Sequence, residues 1–153
     1  MNLEKILEER RKRAFEYPQV ITTRRLSLKI SRRDSMNVIY EIIFDNVLVG
    51  YIHIIEDFLD DTEIWYRIMD DYQGLGFCSE AVKGLLDNCP QGKFFLTIHR
   101  KNRPSKKVAR KTGFKKKGRR YYIDTRKKSR WTIWIFCFEN SLKNYWQKNE
   151  FNR

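Results

Sequence analysis

The stretch from Ile64 to Leu86, IWYRIMDDYQGLGFCSEAVKGLL, constrains the fold more than any other part of this 153-residue chain. It begins with a short apolar run, passes through two aspartates to the sequence QGLGFC, and ends in a helical pattern. Two glycines separated by one residue allow a tight turn in which the backbone can approach a ligand without an intervening Cβ. The stretch therefore predicts a strand, a glycine turn and a helix, in that order.

The predicted helix after this turn is suited to hold an anion at its start. Its apolar residues recur at helical spacing on one side, and they are Ala81, Val82, Leu85 and Leu86. The first N–H groups of a helix have no partner within the helix, and together with the helix dipole they favour a phosphate. A Gly-x-Gly turn by itself also fits an ordinary loop, so the interpretation depends on the rest of the chain.

A second segment, about 30 residues further along, supports the phosphate interpretation. A predicted strand at 94–99 is followed by NRPS at 102–105, a short helix, and Gly-Phe at 113–114. Pro104 suits the first turn of a helix, and Gly113 suits a left-handed cap. The two segments together resemble the GNAT superfamily of acyl-CoA-dependent N-acetyltransferases. QGLGFC is similar to the pyrophosphate motif of that superfamily, and the second segment is similar to its other cofactor-binding region.

The resemblance implies acetyl-CoA as co-substrate and assigns it a set of contacts. The strand before the turn would pair with the pantetheine arm, the turn would hold the pyrophosphate, and the second helix would meet the arm and the remaining phosphates. The cofactor-binding residues expected on this basis are Ile68, Met69, Asp70, Gln73, Gly74, Leu75, Gly76, Phe77, Cys78, Ser79, Asn102, Ser105 and Lys106, with Lys107 and Arg110 as further phosphate contacts. No metal is expected, because the three cysteines are scattered and lack metal-site spacing.

Acetyl transfer to an amine requires a neutral amine, stabilisation of the oxyanion and a proton for the departing thiolate. By the resemblance, Glu63 is the candidate general base, because it lies on the strand that enters the site. It also fits an ordinary carboxylate at a sheet edge. A backbone N–H near Ile68 is the candidate oxyanion donor.

Several residues are candidates for the general acid. Superfamily members that use a tyrosine on the second helix carry it four residues before the Gly-Phe pair, where this chain has Ala109. Ser105 is the remaining candidate at the expected place, although it also suits a helix cap or a cofactor contact. Tyr66 and Tyr121 are substitutes, and His99 is a further candidate for proton transfer.

The implied fold class is α/β, with a mixed, mostly antiparallel central sheet of about seven strands and flanking helices. Residues 1–153 are expected to form one domain. It would comprise an N-terminal helix within 1–18, a core over 20–138 and a tail over 139–153, with a short polar helix at 139–149. The first helix is expected over residues 3–16, and its apolar side would carry Leu3, Ile6, Leu7, Ala14 and Phe15.

One region departs from the superfamily pattern. Most members insert two helices between the first and second strands, and those helices wall the acceptor site. Only about seven residues, 31–37, are available for this connection here. The acceptor pocket is therefore expected to be open and shallow, unless the N-terminal helix replaces part of the missing wall.

The net charge of +13 is unevenly distributed along the chain. Residues 100–130 contain sixteen Lys or Arg and one acid, whereas residues 56–71 contain seven acids and one base. A basic surface suits the phosphates of a nucleic acid, and an acidic stretch suits a cationic acceptor. A protein N-terminus or lysine, an aminoacyl-tRNA and a small polyamine therefore all remain open as acceptors.

A second class of function also remains open. The chain would then be an acetyltransferase fold with little or no turnover that binds RNA or a ribosomal partner through its basic face. The first residues carry charge where a signal peptide needs an apolar run, and no window approaches 18 uninterrupted apolar residues. A cytoplasmic protein without membrane contact is expected, as a monomer or a homodimer.

Overall fold

A computed structural model describes residues 2–56, 62–89, 92–124 and 129–140. The α-helices are α1 (Leu3–Glu16), α2 (Phe77–Asn88) and α3 (Arg103–Lys111), and a single 3-10 turn spans Asp70–Tyr72. The strands are β1 (Val20–Thr22), β2 (Leu26–Arg33), β3 (Asn37–Phe44), β4 (Val47–Glu56), β5 (Thr62–Ile68), β6 (Gly92–His99), β7 (Lys115–Asp124) and β8 (Ser129–Asn140).

The strands form one open sheet in the order β1-β2-β3-β4-β5-β6-β8-β7. Neighbouring strands are antiparallel except β5 and β6, which run parallel and pair only through Thr62 with Phe94 and Glu63 with Phe95. Beyond this short pairing the two strands diverge. The predicted mixed, mostly antiparallel sheet is confirmed. It has eight strands rather than about seven, because Val20–Thr22 forms a separate edge strand.

The hydrophobic core lies on one face of this sheet. Directly paired residues share a face, and the pairing of Tyr40 with Ile52 and of Ile52 with Tyr66 carries that face across β3, β4 and β5. α2 covers it with a buried stripe at helical spacing, which comprises Phe77, Ala81, Val82, Leu85 and Leu86. α3 adds Ala109 to the same core. All three helices lie on this face, and no helix of the described residues covers the opposite one.

α1 spans the predicted residues, but only part of its expected apolar side is covered. Ala14 is buried in the core, whereas Leu3, Leu7 and Phe15 are exposed by 58%, 36% and 60%. The helix is also held by the buried Arg10 and by Arg13, whose Nε donates to Glu56 Oε1 over 3.1 Å. Glu56 is almost fully buried and also accepts from the Thr62 hydroxyl over 3.0 Å. The prediction of the apolar side is therefore correct for Ala14 and wrong for Leu3, Leu7 and Phe15, and Arg13 joins the docking contacts because a buried carboxylate requires a charged partner.

The connection expected to be short, over residues 31–37, lies between β2 and β3. It is as short as expected and contains no helix. It comprises residues 34–36, where Asp34 Oδ1 accepts from the backbone N–H groups of Met36 and Asn37, each over 2.9 Å. α1 packs beside Glu56 on the same face as α2, so it does not replace the missing wall on the opposite face. The turn between β3 and β4 is tight, and its residues Asp45 and Asn46 have φ angles of 48° and 62°.

The C-terminal prediction falls mostly outside the described residues. β8 continues to Asn140, two residues past the predicted core, and residues 141–153 are not among those described. The same holds for residues 57–61 of the acidic connection before β5. Within the ranges that the structure covers, no helix is both long and apolar enough to cross a membrane.

Candidate functional site

The divergence of β5 and β6 leaves two adjoining cavities. The larger has a volume of about 740 Å³ and lies between the end of β5, the glycine turn and α3. The smaller has a volume of about 300 Å³ and lies between β5 and β6, lined by residues from both faces of the sheet. Tyr66, Asn102 and Ser105 line both cavities. These three residues therefore stand where the two cavities adjoin.

The backbone of β5 is oriented to use this gap. The N–H of Met69 donates to the Val49 carbonyl over 2.8 Å, which identifies these two as a hydrogen-bonded pair of the β4–β5 ladder. In an antiparallel ladder such pairs alternate along the strand, and the residues between them point their backbone groups away from the partner strand. The N–H groups of Tyr66 and Ile68 are therefore aimed towards β6, into the gap.

The glycine turn adopts the conformation that its sequence predicts. Gly74 and Gly76 have φ angles of 77° and 79°, a region that residues with a Cβ rarely occupy. Gly76 is the N-cap of α2 and supplies no side-chain cap, and the first helical bond runs from Glu80 N to the Gly76 carbonyl over 3.2 Å. The backbone N–H groups at 77–79 precede that bond and lie at the wall of the larger cavity.

Of the residues predicted to bind the cofactor, most line the larger cavity and the others do not. Gln73 lines the larger cavity, and its Nε2 donates to the Ile68 carbonyl over 3.0 Å and to Asp70 Oδ1 over 3.2 Å. The predicted residues that line the larger cavity are Ile68, Gln73, Gly74, Gly76, Phe77, Cys78, Ser79, Asn102 and Ser105. Those that do not are Met69, Asp70, Leu75 and Lys106.

An ion pair that the sequence analysis missed supports the turn from outside. Arg25 Nε lies 2.7 Å from Glu80 Oε2, and its Nη1 donates to the Leu75 carbonyl over 3.0 Å. Glu80 Oε1 also accepts from the Thr23 hydroxyl and the Arg25 backbone N–H, each over 2.7 Å. The Arg25 guanidinium lies 4.7 Å from the centre of the Phe77 ring. Arg25 and Glu80 therefore tie β2 to the glycine turn, although 55 residues separate them in sequence.

Replacement of Glu80 by Gln is expected to destabilise the fold by about 1 to 3 kcal/mol at neutral pH, because it removes charge-assisted hydrogen bonds. Burial raises the pKa of Glu80, but the hydrogen bonds from Thr23 and Arg25 outweigh it and hold the pKa below the usual 4.5. A lowered carboxyl pKa stabilises the folded state above the unfolded pKa, and this contribution is lost as pH falls through the folded pKa.

The difference between the parent and Glu80→Gln should therefore be full at neutral pH and shrink below about pH 4. Urea unfolding at a series of pH values measures it. Glu9→Gln, at an exposed position of α1, is the control that should show no such dependence. A difference that stays constant to pH 3 would refute a role for the charge of Glu80.

α3 lies where its sequence predicts, but its N-cap is Asn102 rather than Ser105. Asn102 is the N-cap and its Oδ1 accepts from Ser105 N over 3.2 Å, Pro104 lies in the first turn, and Gly113 has a φ of 95°. The cations of this helix divide into two stripes. Arg103, Lys107 and Lys111 line the larger cavity, whereas Lys106 and Arg110 do not.

The Tyr66 hydroxyl and the Cys78 thiol of the site are both held in their protonated forms. The Tyr66 hydroxyl donates to the Ser105 carbonyl over 2.9 Å, and burial raises the pKa of Tyr66 well above its ordinary value. Burial likewise raises the pKa of Cys78 to about 12. Tyr66 therefore remains a proton donor at neutral pH, and Cys78 remains an unreactive thiol in the wall of the cavity.

The other catalytic candidates lie around the smaller cavity. Glu63 does not line it, but Glu63 Oε1 accepts from the hydroxyl of Thr97, which does, over 2.8 Å. His99 lines it, and its Nδ1 accepts from Lys101 N over 3.2 Å, so the neutral ring carries its proton on Nε2. Ala109 stands where some superfamily members carry a tyrosine, and it is fully buried. It has no hydroxyl and cannot act as the acid. The side chain of Tyr121 is outside the described part of the chain.

Comparison with known proteins agrees with this geometry. The family described as the acetyltransferase (GNAT) domain matches residues 6–115, which is more than two thirds of the chain. The chain belongs to the GNAT acetyltransferases. The predicted family is confirmed, and with it the class of enzyme, an N-acetyltransferase that uses acetyl-CoA as donor. No curated protein matches the sequence itself.

Solved structures of GNAT proteins share the fold at low sequence identity. RimL, a ribosomal alpha-N-protein acetyltransferase, is 14% identical with a TM-score of 0.66, and the match covers 78% of this chain and 97% of RimL. The microcin self-immunity acetyltransferase MccE, solved with acetyl-CoA and AMP, is 18% identical with a TM-score of 0.59 and coverage of 69% and 62%. A variant of spermidine N-acetyltransferase SpeG from Vibrio cholerae is 16% identical with a TM-score of 0.59 and coverage of 69% and 66%.

The described residues contain no group of three or more His, Cys, Asp or Glu side chains that could hold a metal ion. The cofactor that the GNAT family implies fits the residues that are present. The larger cavity combines a left-handed glycine turn, unused N–H groups at a helix start and three cations, which is the donor set that phosphates require.

Proposed function

We propose that this GNAT enzyme transfers the acetyl group of acetyl-CoA to a primary amine that approaches from the helix-free face of the sheet. The observation that carries the proposal is the pair of adjoining cavities between β5 and β6. The larger is lined by a helix start and three cations, which suit phosphates, and the smaller is lined by residues from both faces of the sheet. A donor and an acceptor can therefore meet within the sheet, where Tyr66 and Ser105 line both cavities.

In this proposal the pyrophosphate rests on the backbone N–H groups at the start of α2, with Arg103, Lys107 and Lys111 balancing the phosphate charges. The pantetheine arm follows the free side of β5 and pairs with its inward backbone groups, like an added strand. Asn102 and Ser105 contact the arm from α3. When bound, acetyl-CoA supplies an activated thioester.

The chain's own groups then direct the transfer. The Ile68 N–H stabilises the oxyanion that forms when the amine nitrogen attacks the acetyl carbon. Glu63, fixed by Thr97, takes a proton from the amine through a water molecule, and the hydroxyl of Tyr66 gives a proton to the departing thiolate as the carbon–sulfur bond breaks. Ser105 is the second candidate for this proton. The products are an N-acetylated amine and coenzyme A with a free thiol.

The proposed acceptor is a primary amine of one of four kinds: a protein N-terminus, a lysine, an aminoacyl-tRNA or a polyamine. RimL acts on a ribosomal protein and SpeG on spermidine, so two of these types occur among the structural neighbours. No observation on the described residues favours a module that binds without turnover, because the glycine turn, the gap and the inward backbone groups are all in place.

We also propose a cytoplasmic location. None of the three cysteines, Cys78, Cys89 and Cys137, forms a disulfide in the part of the chain that the structure describes. Disulfides persist in oxidising compartments and are rare in the reducing cytosol, so their absence here supports this location.

The proposal is tested in two steps. Calorimetric titration with acetyl-CoA should show one bound equivalent at micromolar affinity, and thiol release should then be followed with a panel of the four amine types.

Tyr66→Phe should lower kcat by about 10²- to 10⁴-fold with unchanged affinity for acetyl-CoA, because it removes only the acid. Ser105→Ala should change kcat much less. If Ser105→Ala lowers kcat more than Tyr66→Phe does, Ser105 is the acid. Absence of acetyl-CoA binding would refute the proposed function.

A further inference from the structure

The cations of α3 that do not line the cavity belong to a second surface. Residues four apart lie on one side of a helix, so Lys106 and Arg110 form a stripe that is separate from the one facing the cofactor. The Lys106 ammonium lies 4.3 Å from the centre of the Trp134 ring of β8, and the Lys116 ammonium of β7 lies 3.3 Å from the same ring. α3 and β7 therefore meet over Trp134.

The register of β7 adds a further cation to this surface. Lys116 pairs with Phe136 and Arg119 pairs with Trp134, with an irregularity between them. Because directly paired residues share a face, Lys116 and Arg119 lie on the same face of the sheet as Trp134 and α3. We call Lys106, Arg110, Lys116 and Arg119 the α3–β7 surface.

The sequence around this surface is free of acids. Residues 100–120 contain twelve Lys or Arg and no Asp or Glu. The ion pairs seen between described residues lie elsewhere, within α1 and α2, between α1 and β4, between Arg25 and Glu80, and at Asp34. Desolvation together with the nearby Arg110, Arg103 and Lys116 lowers the pKa of Lys106, which shows how closely the cations are gathered.

We propose that the α3–β7 surface binds the phosphate backbone of RNA while acetyl-CoA occupies the adjacent cavity. The choice of RNA rests on the proposed function, because one proposed acceptor, an aminoacyl-tRNA, is itself RNA, and another, a protein N-terminus, would be presented beside RNA if the protein belonged to a ribosome. Contacts from Lys and Arg to phosphates provide most of the affinity of proteins for nucleic acids. The surface lies on the helix-covered face of the sheet, so RNA bound there leaves the helix-free face open to the amine.

The composition of the surface favours RNA over an acidic protein. The exposed side chains of α3 and of β7 from 115 to 120 are almost all cations, and the large apolar groups beneath them are covered. Protein interfaces are depleted in lysine and have an apolar centre. The α3–β7 surface lacks such a centre among the described residues, whereas repeated cations without apolar contact suit a chain of phosphates.

The test compares two triple variants with the same change of net charge. Arg110→Gln, Lys116→Gln and Arg119→Gln are combined in the first, and none of these residues lines the cofactor cavity. Lys5→Gln, Arg11→Gln and Lys29→Gln are combined in the second, at exposed positions away from the surface. Binding of a short fluorescently labelled RNA hairpin is measured by anisotropy across a salt series, with and without saturating acetyl-CoA.

The parent should bind with a steep salt dependence, and acetyl-CoA should not displace the RNA. The first variant should bind at least about 10-fold more weakly and reduce the slope of log K against log salt by about 2 to 3, since each lost phosphate contact removes about 0.7 to 0.9. The second variant should behave like the parent. Equal losses in both variants would show that net charge alone acts, and would overturn the proposal.

Two further measurements separate the possible failures. Acetyl-CoA titration of every variant reports the fold and the proposed function independently of RNA, so loss of RNA binding with intact acetyl-CoA binding concerns the surface alone. Bound RNA should also protect Lys106 and Lys116, but not Lys5 and Lys29, from an amine-labelling reagent. If polyglutamate binds more tightly than the RNA and protects the same lysines, the partner is an acidic protein and the proposal is wrong.

Discussion

Replacement of Gly76 by Asp is expected to raise the Kd for acetyl-CoA by at least about 100-fold. Gly76 caps α2 at the wall of the larger cavity, and a carboxylate there would lie close to the proposed pyrophosphate position. Two like charges about 4 Å apart repel by about 4 kcal/mol at an effective dielectric constant of about 20. Since about 1.4 kcal/mol corresponds to a factor of ten, calorimetric titration should detect little or no binding.

Gly76→Asn is the matched control for this experiment. Asn and Asp have nearly the same shape, and both tolerate a positive φ better than other residues with a Cβ. A Cβ at this position would also lie only 3.4 Å from an Arg25 Nη atom, and both variants share that contact. The difference between them therefore reports the charge. Equal affinities in the two variants would mean that the phosphates do not lie at the start of α2.

Gly50→Ala is expected to combine a modest loss of stability with a large loss of activity. A Cβ on Gly50 would lie 2.3 Å from the Arg67 carbonyl oxygen and 2.9 Å from Cδ1 of Ile68, so β5 must shift where it enters the site. Overpacking of this kind costs about 1 to 3 kcal/mol, or roughly 3 to 10 °C in Tm for a domain of this size. A shift of about 1 Å in the Ile68 N–H should lower kcat about 100-fold.

Gly118→Ala is the control on the same sheet. No atom of the described residues lies within 4 Å of a Cβ at Gly118, and its φ is not positive. Its Tm and kcat should equal those of the parent, measured by thermal unfolding and by thiol release with the acceptor that the panel identifies. If Gly50→Ala keeps full kcat despite a lower Tm, the position of Ile68 does not limit the reaction and another donor stabilises the oxyanion.

The parts of the site that sequence could predict are those encoded by neighbouring residues. The glycine turn, Pro104 in the first turn of α3 and the left-handed Gly113 each follow from local backbone requirements, and the structure has all three. The strand–turn–helix order follows from hydrophobic period in the same way. Such features are readable because their physical causes lie within a few residues.

The parts that sequence could not predict depend on contacts between distant segments. Arg25 pairs with Glu80 across 55 residues, and nothing near either residue in sequence indicates the pair. α1 adds the ion pair between Arg13 and Glu56 to its docking contacts, because a buried carboxylate on a distant strand requires a charged partner. The role of Gly50 has no local signal in its strand, and only the packing of β5 against it shows why a Cβ does not fit.

The short connection between β2 and β3 has a consequence for kinetics. With no helix of the described residues on the face opposite α1, α2 and α3, the proposed mechanism brings donor and acceptor to the reacting atoms from the two sides of one sheet. In that arrangement neither substrate would block the entry or exit of the other, so no fixed order of addition is expected. Initial-rate patterns should then be those of a ternary complex formed in random order, and coenzyme A can leave while the acetylated product is still bound.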